Sequence, residues 1–463
     1  MIRPRIGFLT VGGSPIVAAQ GFMAREYWGE DIRDRAVSRL EACGLEIVKI
    51  PKIVFNIGEM TEAAQVLRSE DADLVVIYFT GIGEEVLIPH LAAELPQYPL
   101  LLWSNLTATE EFPRIGIMGV IHAASNLRAM GRKFSYLLGN PDDHETMWKI
   151  LVLARAAAVA KRVRRDVVGT LSAVSPGQLD TAYDEVQMRR VVADVDGLDV
   201  VELVNFYEKV GDEEAEHVVN NVLQRVGGCE AERADLLASA KTYLALKQMV
   251  GKYNLKAIAA NSRPGLVMRG VLIHLAASLL SEEGIPAHIH EHDVPAAITE
   301  LVLRYFTDLP AYTGEFNYVE DLVGNRSKLG HTGFSAFSLA GSSRDIRLTK
   351  YSMHKTLTGR EGGVEVQFYV KPGRVTFAKL GGRAVDGRLS MFIAGGEVVE
   401  PSEEMKKSGS GCFACIRPDV PVQDFLDAII SGGVEHHILL VHADVRAELE
   451  AFCDILDIQK NTV

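Results

Sequence analysis

The chain reads as an α/β protein with two doubly wound parallel-sheet domains followed by a C-terminal antiparallel β-rich domain, and three features of its 463 residues point there. In the first third, short apolar runs alternate with amphipathic stretches in the βαβ rhythm of a parallel sheet. The same rhythm restarts after the turn Gly139-Asn140-Pro141-Asp142-Asp143. Past about residue 310, glycine becomes frequent and the pattern changes to the strict alternation of strands that bury one face. The boundaries implied are 1–141, 142–308 and 309–463.

Within the first domain, residues 6–11, 45–50, 74–79 and 99–103 are apolar runs of strand length, separated by helical periodicity over 31–43 and 62–70. Ligands in such a sheet lie at the carboxyl ends of the strands, which here means Gly12-Gly13, Thr80-Gly81 and Ser104-Asn105. Gly12-Gly13-Ser14 is no phosphate loop, because no GKS or GKT follows, and no GxGxxG is present. In the second domain a long helix over 145–163 leads into a strand at 167–171, then a helix over 179–192 and a strand at 199–204. A helix over 230–250, a strand at 257–260 and a helix over 270–283 follow. The third domain shows strands at 364–370, 374–378 and 389–394, with turns at Lys371-Pro372-Gly373-Arg374 and Gly395-Gly396.

With 48% hydrophobic and 24% charged residues the composition is that of a globular protein long enough for two or three cores. A net charge of −13 argues against a nucleic-acid or anionic-membrane surface. The one dense basic stretch, Lys161-Arg162-Val163-Arg164-Arg165, closes an Ala-rich helical pattern, where cations meet the negative end of the helix dipole. No apolar run approaches the roughly 18 residues that span a bilayer. The start, MIRPRIGFLTVGG, lacks the features of a signal peptide, so a cytoplasmic protein is expected. Five scattered cysteines fit a reducing compartment, and the lone CxxC at Cys412 and Cys415 reads as ordinary thiols.

The chemistry concentrates at His288-Ile289-His290-Glu291-His292-Asp293, three of the 13 histidines and two carboxylates in six positions. Glu315 in AYTGEF, His331 in GHTG and the pair His436-His437 in SGGVEHHILLV extend the set. Imidazole with carboxylate suits Mn²⁺, Fe²⁺, Co²⁺ or Zn²⁺, whereas an all-oxygen set suits Mg²⁺ or Ca²⁺. In an extended segment His288, His290 and His292 share the face opposite Glu291, which leaves them in solvent or behind the ligands. Asp293, on the Glu291 face, either orients a ligand or caps the helix that starts near Pro295. Of two adjacent histidines on a strand, only one faces a given site.

The run GIPAHIHEHDVPAAITELVLRYFTDLPAY resembles a segment of L-fucose and L-arabinose isomerase-type proteins in which a metal-binding, catalytic Glu precedes a helix and a second acid follows it. Glu291 falls on the first acid, and Glu315, 24 residues on, falls on the second. His331 in GHTG, the strand VKPGRVTFAKL and the closing GGVEHHILLVHADVRAELEAFCDILDI resemble further elements of that family. The chain departs from the family pattern where His290 and His292 replace a Cys and a Gly beside the Glu, and where Thr332 replaces the Cys after the downstream His. The sugar is therefore not carried over.

The resemblance implies a metal-dependent aldose–ketose isomerase acting on a free monosaccharide or sugar derivative through a cis-enediol. Mn²⁺ is the first choice of metal, with Co²⁺, Fe²⁺, Zn²⁺ and Mg²⁺ as alternatives. It implies Glu291 and Glu315 as ligands and acid/base groups, His437 as a ligand with His436 as the fallback, and His331 as a ligand or a hydrogen-bond partner of one. His122, in GVIHAASNLRAMGRKF, resembles a His lent to a neighbouring subunit's site, which implies a homo-oligomer, trimer or hexamer; its plain reading is a helix start. Asp293, His354 and Trp103 are candidate substrate contacts, against the plain readings of a helix cap, a solvated turn and a core aromatic. Two other classes fit the residues: a metal-dependent hydrolase on the same scaffold, and a non-catalytic sugar-binding or regulatory protein, which would not need both acids and the distal His pair.

Overall fold

A computed structural model describes residues 2–12, 29–83, 85–110, 116–175, 177–289, 291–407 and 411–463; Gly13, Ser14 and His290 lie outside them. The chain divides into two compact units, Ile2–Lys161 and Arg162–Val463.

In the first unit, β1 (Arg5–Val11), β2 (Glu46–Val54), β3 (Leu74–Phe79), β4 (Leu100–Ser104) and β5 (Ser135–Leu138) form a parallel sheet in the order β2-β1-β3-β4-β5. Its central strands read as unbroken apolar runs because helices cover both faces, and every residue of β3 is buried. The helix Glu30–Ala42 turns Ile32, Ala36, Val37 and Leu40 inward. The helix expected from 62 starts earlier, at Ile57, because the Asn56 side chain accepts from the Glu59 backbone N–H at 3.0 Å and caps it there. Trp103 is a correction to the expected sugar contact. It is fully buried in β4, its ring centroid is 4.4 Å from that of Tyr78, and its indole N–H donates to the Gly139 carbonyl at 2.8 Å, so it offers no ring face to a ligand.

The second unit begins with β6 (Val167–Leu171), β7 (Asp194–Leu198), β8 (Gly228–Cys229), β9 (Ala257–Ala260) and β10 (Ala287–His288). Four of these make a parallel sheet, β10-β9-β6-β7, in which the strand order reverses between β6 and β9. The strand expected at 199–204 is a helix, Val200–Lys209. Asp199 ends the preceding extended segment and its carboxylate accepts from the Val201 N–H at 2.8 Å, so the apolar residues that follow sit on a helix face.

Beyond β10 come β11 (Tyr312–Asp321), β12 (Arg326–His331), β13 (Arg347–Thr349), β14 (Glu365–Tyr369), β15 (Gly373–Leu380), β16 (Ser390–Val399), β17 (Cys412–Pro418), β18 (His437–Val441) and β19 (Gln459–Thr462). With β8 they form a ten-stranded, mainly antiparallel sheet. Because β16 pairs with both β15 and β17, the strands β16-β15-β18-β11-β12-β17 close into a barrel, which removes most of the exposed edge. Among the described residues, no helix is long and apolar enough to cross a membrane.

Candidate metal centre

Three adjacent barrel strands bring their chemistry to one spot. Glu315 on β11 pairs directly with His437 on β18 and with Gly330 on β12, one residue before His331. Cross-strand partners share a face, so Glu315 and His437 point together. Glu291 arrives from the parallel sheet. It lies just beyond the carboxyl end of β10 and bridges to Asn261 just beyond β9, the end of an α/β sheet where ligands collect.

Among the described residues, Glu291, Glu315, His436 and His437 each bring one ligand atom to within 4.8 Å of the others. The Oε2 of Glu291 is 2.9 Å from His436 Nε2 and 3.6 Å from His437 Nε2, while Glu315 Oε1 is 4.0 Å from His437 Nε2. His331 faces the same point from the side, its Nε2 3.0 Å from His437 Nε2 and 3.5 Å from Glu315 Oε1. The choice between His436 and His437 is corrected: both face the centre. His437 opens β18, but His436 precedes the strand in a bend, where strand alternation does not apply.

A buried frame orients these groups. Asp293 Oδ2 accepts from His437 Nδ1 at 2.7 Å, which fixes the proton on Nδ1 and turns the Nε2 lone pair to the centre. Asp293 also caps the helix Val294–Thr307 through Ala296 N and is held by the buried ammonium of Lys379 at 2.7 and 2.8 Å. Lys379 in turn pairs with Glu435 at 2.8 Å. Asp293 is therefore both orienting group and cap; with its oxygens engaged and only 1% exposed, it is not a substrate contact. Burial would raise the Asp293 pKa, but Lys379 and His437 outweigh it and keep the carboxyl ionised.

Electrostatics divide the two glutamates. Burial pushes the Glu291 carboxyl up, yet hydrogen bonds from His436 and Gln178 and the imidazoles of His437 and His331 hold it well below its usual range. Arg263, on the loop after β9, adds an ion pair to its other oxygen at 2.6 Å. Glu315 is half-buried, and burial together with the charge of Glu291 raises its pKa against the pull of His436 and Arg263. One carboxylate is thus held ionised and the other is disposed to take up a proton.

The donor set fits a divalent ion. With Nδ1 of His437 committed to a carboxylate, its bare Nε2 faces His331 Nε2 at 3.0 Å, a separation that requires a shared proton or a cation. Two carboxylates with imidazoles suit a transition metal better than Mg²⁺ or Ca²⁺. His436 stands between carboxylates, Asp180 Oδ2 at 2.6 Å and Glu291 Oε2 at 2.9 Å. Burial opposes its charge, but those bonds prevail and its pKa is pushed up to about 9. Raised from 6.5, this pKa adds stability that is fully present below pH 6.5 and is lost as pH rises through about 9. The melting temperature of chelator-treated protein is expected to fall across that window, and His436→Gln to flatten the fall; thermal scans at stepped pH read both.

The remaining candidates lie elsewhere. His354 is a correction: it is buried at the start of the helix His354–Thr358, with Nδ1 at 2.9 Å from the Arg360 carbonyl, and so closes a local turn. His288 is bonded to Glu300 at 2.9 Å, and His292 is buried rather than solvated. His292 also has a φ of +64°, so the segment is not extended through it. His122 lies in the first unit, in the helix Ile117–Ala129, 3.4 Å from Glu85.

Residues 331–462 match the family described as L-fucose isomerase, C-terminal domain. The chain is 24% identical over 357 residues to a protein named sulfoquinovose isomerase from Alkalicoccus urumqiensis, covering 76% of this chain and 77% of that one. It is 21% identical over 435 residues to another of that name from Clostridium sp. (strain MSTE9), covering 92% and 93%. The chain is similar to fucose isomerase-type proteins, with the family match itself confined to residues 331–462. These likenesses support a sugar isomerase of the aldose–ketose class. Among solved structures, a periplasmic solute-binding protein of an ABC transporter from Actinobacillus succinogenes 130z, with bound D-allose, aligns at 13% identity over 66% of this chain and 92% of that one; its TM-score of 0.18 carries no argument.

The centre also brings in groups that the sequence does not single out: Arg263, Asp180, Lys379 and Glu435. Of these only Lys379 leaves a local signal, a lysine inside the apolar strand GRVTFAKL.

Proposed function

We propose that this isomerase is metal-dependent and interconverts an aldose and a ketose through a cis-enediol, with Glu291, Glu315 and His437 as metal ligands and His436 or His331 completing the set. The observation that carries the reading is the convergence of Glu291, Glu315, His436 and His437 within 4.8 Å in a chain with this likeness. Mn²⁺ is the leading candidate for the ion, which when bound supplies Lewis acidity to the two oxygens of the reacting carbons. Glu315, with its raised pKa and partial exposure, is positioned to carry the proton between C1 and C2, while Glu291 stays ionised. Asp293 and Lys379 hold the imidazole of His437 so that neither carboxylate has to reorganise during transfer.

The substrate we propose is a hexose with an anionic group at carbon 6, the class of sulfoquinovose, for which both relatives are named. Incubating Mn²⁺-loaded protein with sulfonated, carboxylated, deoxy and ordinary aldoses, with ketose detection, tests it. Conversion of the sulfonated sugar is the expected result, and turnover of neutral sugars alone would overturn the substrate assignment. The unpaired cysteines favour a reducing, cytoplasmic setting. For assembly, we propose a homo-oligomer, trimer or hexamer, in which His122 of one copy serves a neighbour's site; sedimentation of a fully active monomer would sink it.

A further inference from the structure

The metal centre opens into a cavity of about 360 Å³ lined by Glu291, Glu315 and Arg263 among others, and Arg263 also lines a second cavity, of about 450 Å³. The second lies beyond the carboxyl ends of β6 and β9, where the strand order reverses; Ser172 and Asn261, the residues that follow those strands, are part of its wall. Ligands of open α/β sheets collect at such a reversal. Ser172 has a φ of +71°, a conformation rare outside glycine and found mostly where a site requires it. The wall is tied to the metal side at two points. Asn261 bridges to Glu291 through the backbone, and Arg263 holds a Glu291 oxygen at 2.6 Å.

The helix Val200–Lys209 supplies another part of the wall, with Val201, Val204, Asn205 and Glu208 at the spacing of one helix face. Arg269, just past the short helix Gly265–Met268, lines the cavity as well. Among the described residues, the side chains of Asn205, Glu208 and Arg269 make no hydrogen bond and no ion pair, with one another or with any other group. A guanidinium, a carboxylate and an amide thus surround one apolar patch without meeting. An inorganic anion would satisfy Arg269 and set a like charge against Glu208. A neutral sugar would do the reverse, donating hydroxyls to Glu208 and leaving Arg269 without a counter-charge. A sugar that carries an anionic group answers both. An open hexose chain spans roughly 6 Å between its end carbons, five C–C bonds long. With its reacting carbons at the metal, such a chain extends past Arg263, which touches Glu291, and its far end comes to the second cavity.

We propose that the second cavity takes the end of the sugar remote from the reacting carbons, with Arg269 pairing with its anionic group and Glu208 and Asn205 bonding its hydroxyls. The inference rests on the substrate reading above. Arg269 is exposed, so the pair it forms is modest in size and screened by salt, enough to discriminate between sugars without trapping the product. Phosphate-bearing sugars share that chemistry, and the experiment includes one.

The test compares Mn²⁺-loaded wild type, Arg269→Gln, Arg269→Lys and Glu208→Ala on sulfoquinovose, glucose 6-phosphate and 6-deoxyglucose. Calorimetry with the sugar alcohol of sulfoquinovose, and with inorganic sulfate beside it, gives affinity and stoichiometry apart from turnover. Neither side chain makes an internal bond, so the variants should melt with wild type. In Arg269→Gln the ratio of kcat/KM for sulfoquinovose to that for 6-deoxyglucose should fall about fivefold, mainly through KM, and Lys should recover part of it. Raising the ionic strength should lower the wild-type ratio and leave that of Arg269→Gln in place. Glu208→Ala should lower kcat/KM for 6-deoxyglucose about fivefold and for sulfoquinovose less, because losing a negative charge favours the anion. An unchanged ratio in Arg269→Gln, an equal loss on charged and neutral sugars, or sulfate binding as tightly as the sugar alcohol overturns the proposal while leaving the substrate reading standing. A second equivalent of the sugar alcohol bound per chain does the same, since the cavity would then be a separate site. If wild type converts 6-deoxyglucose but neither charged sugar, the substrate reading falls and the proposal with it. Preference for the phosphate over the sulfonate, lost in Arg269→Gln, would keep Arg269 in its role and change the natural anion.

Discussion

Replacing Glu291 by Gln should weaken metal binding by at least about tenfold and lower turnover by a hundredfold or more. The substitution keeps the volume and removes the charge, and the charge is what the surroundings are built around. Glu291 is only 4% exposed and takes a hydrogen bond from His436 and an ion pair from Arg263. Once it is neutral, both cations lose a partner in a buried setting, the situation in which a broken pair is costly. A second signature follows: His436 owes part of its raised pKa to Glu291, so the loss of stability on raising pH should begin at a lower pH in the variant. Metal titration with turnover assays and pH-stepped thermal scans measure the two effects. Near-normal turnover would show that Glu291 is not the anchor of the site.

Sequence and structure agree where local pattern decides the outcome. Residues 74–79, 167–171 and 257–260 are strands with the expected limits, because a strand buried on both faces must be apolar throughout. Residues 199–204 misled because Val200, Val201, Leu203 and Val204 satisfy strand and helix periods alike, and one capping carboxylate at Asp199 decides between them. Strand order was not legible: β14 and β15 follow one another across Pro372-Gly373, yet β14 pairs with β13 and β17, and only closure of the barrel settles that.

The site divides in the same way. Glu291, Glu315, His331 and the pair at 436–437 were visible because imidazole and carboxylate are scarce in such density. Arg263 and Asp180 were not, since an arginine before a proline and an aspartate in a turn are ordinary until the fold brings them to Glu291 and His436. Trp103 and His354 show the reverse error. A residue type suited to a sugar site was filled, in each case, by local packing or a local hydrogen bond.

Glu315→Gln should spare metal binding more than Glu291→Gln does, and should still lower turnover by about a hundredfold or more, the scale for a positioned acid/base. The difference follows from position. Glu291 approaches the imidazoles at 2.9 and 3.6 Å, whereas Glu315 stands off at 3.5 and 4.0 Å and is half-buried, open to the cavity where the sugar would lie. Its pKa is raised by burial and by the neighbouring charge of Glu291, so its basic form gains as pH increases. For wild type, kcat/KM should therefore rise with pH through the Glu315 ionisation and then level, and this rise should be absent from the residual activity of Glu315→Gln. Isotope exchange gives the sharper test. Wild type run in deuterated water should incorporate deuterium into the ketose or the recovered aldose, and the variant, still loaded with metal, should not. Incorporation at the wild-type rate by a metal-loaded Glu315→Gln protein would assign the proton to another group.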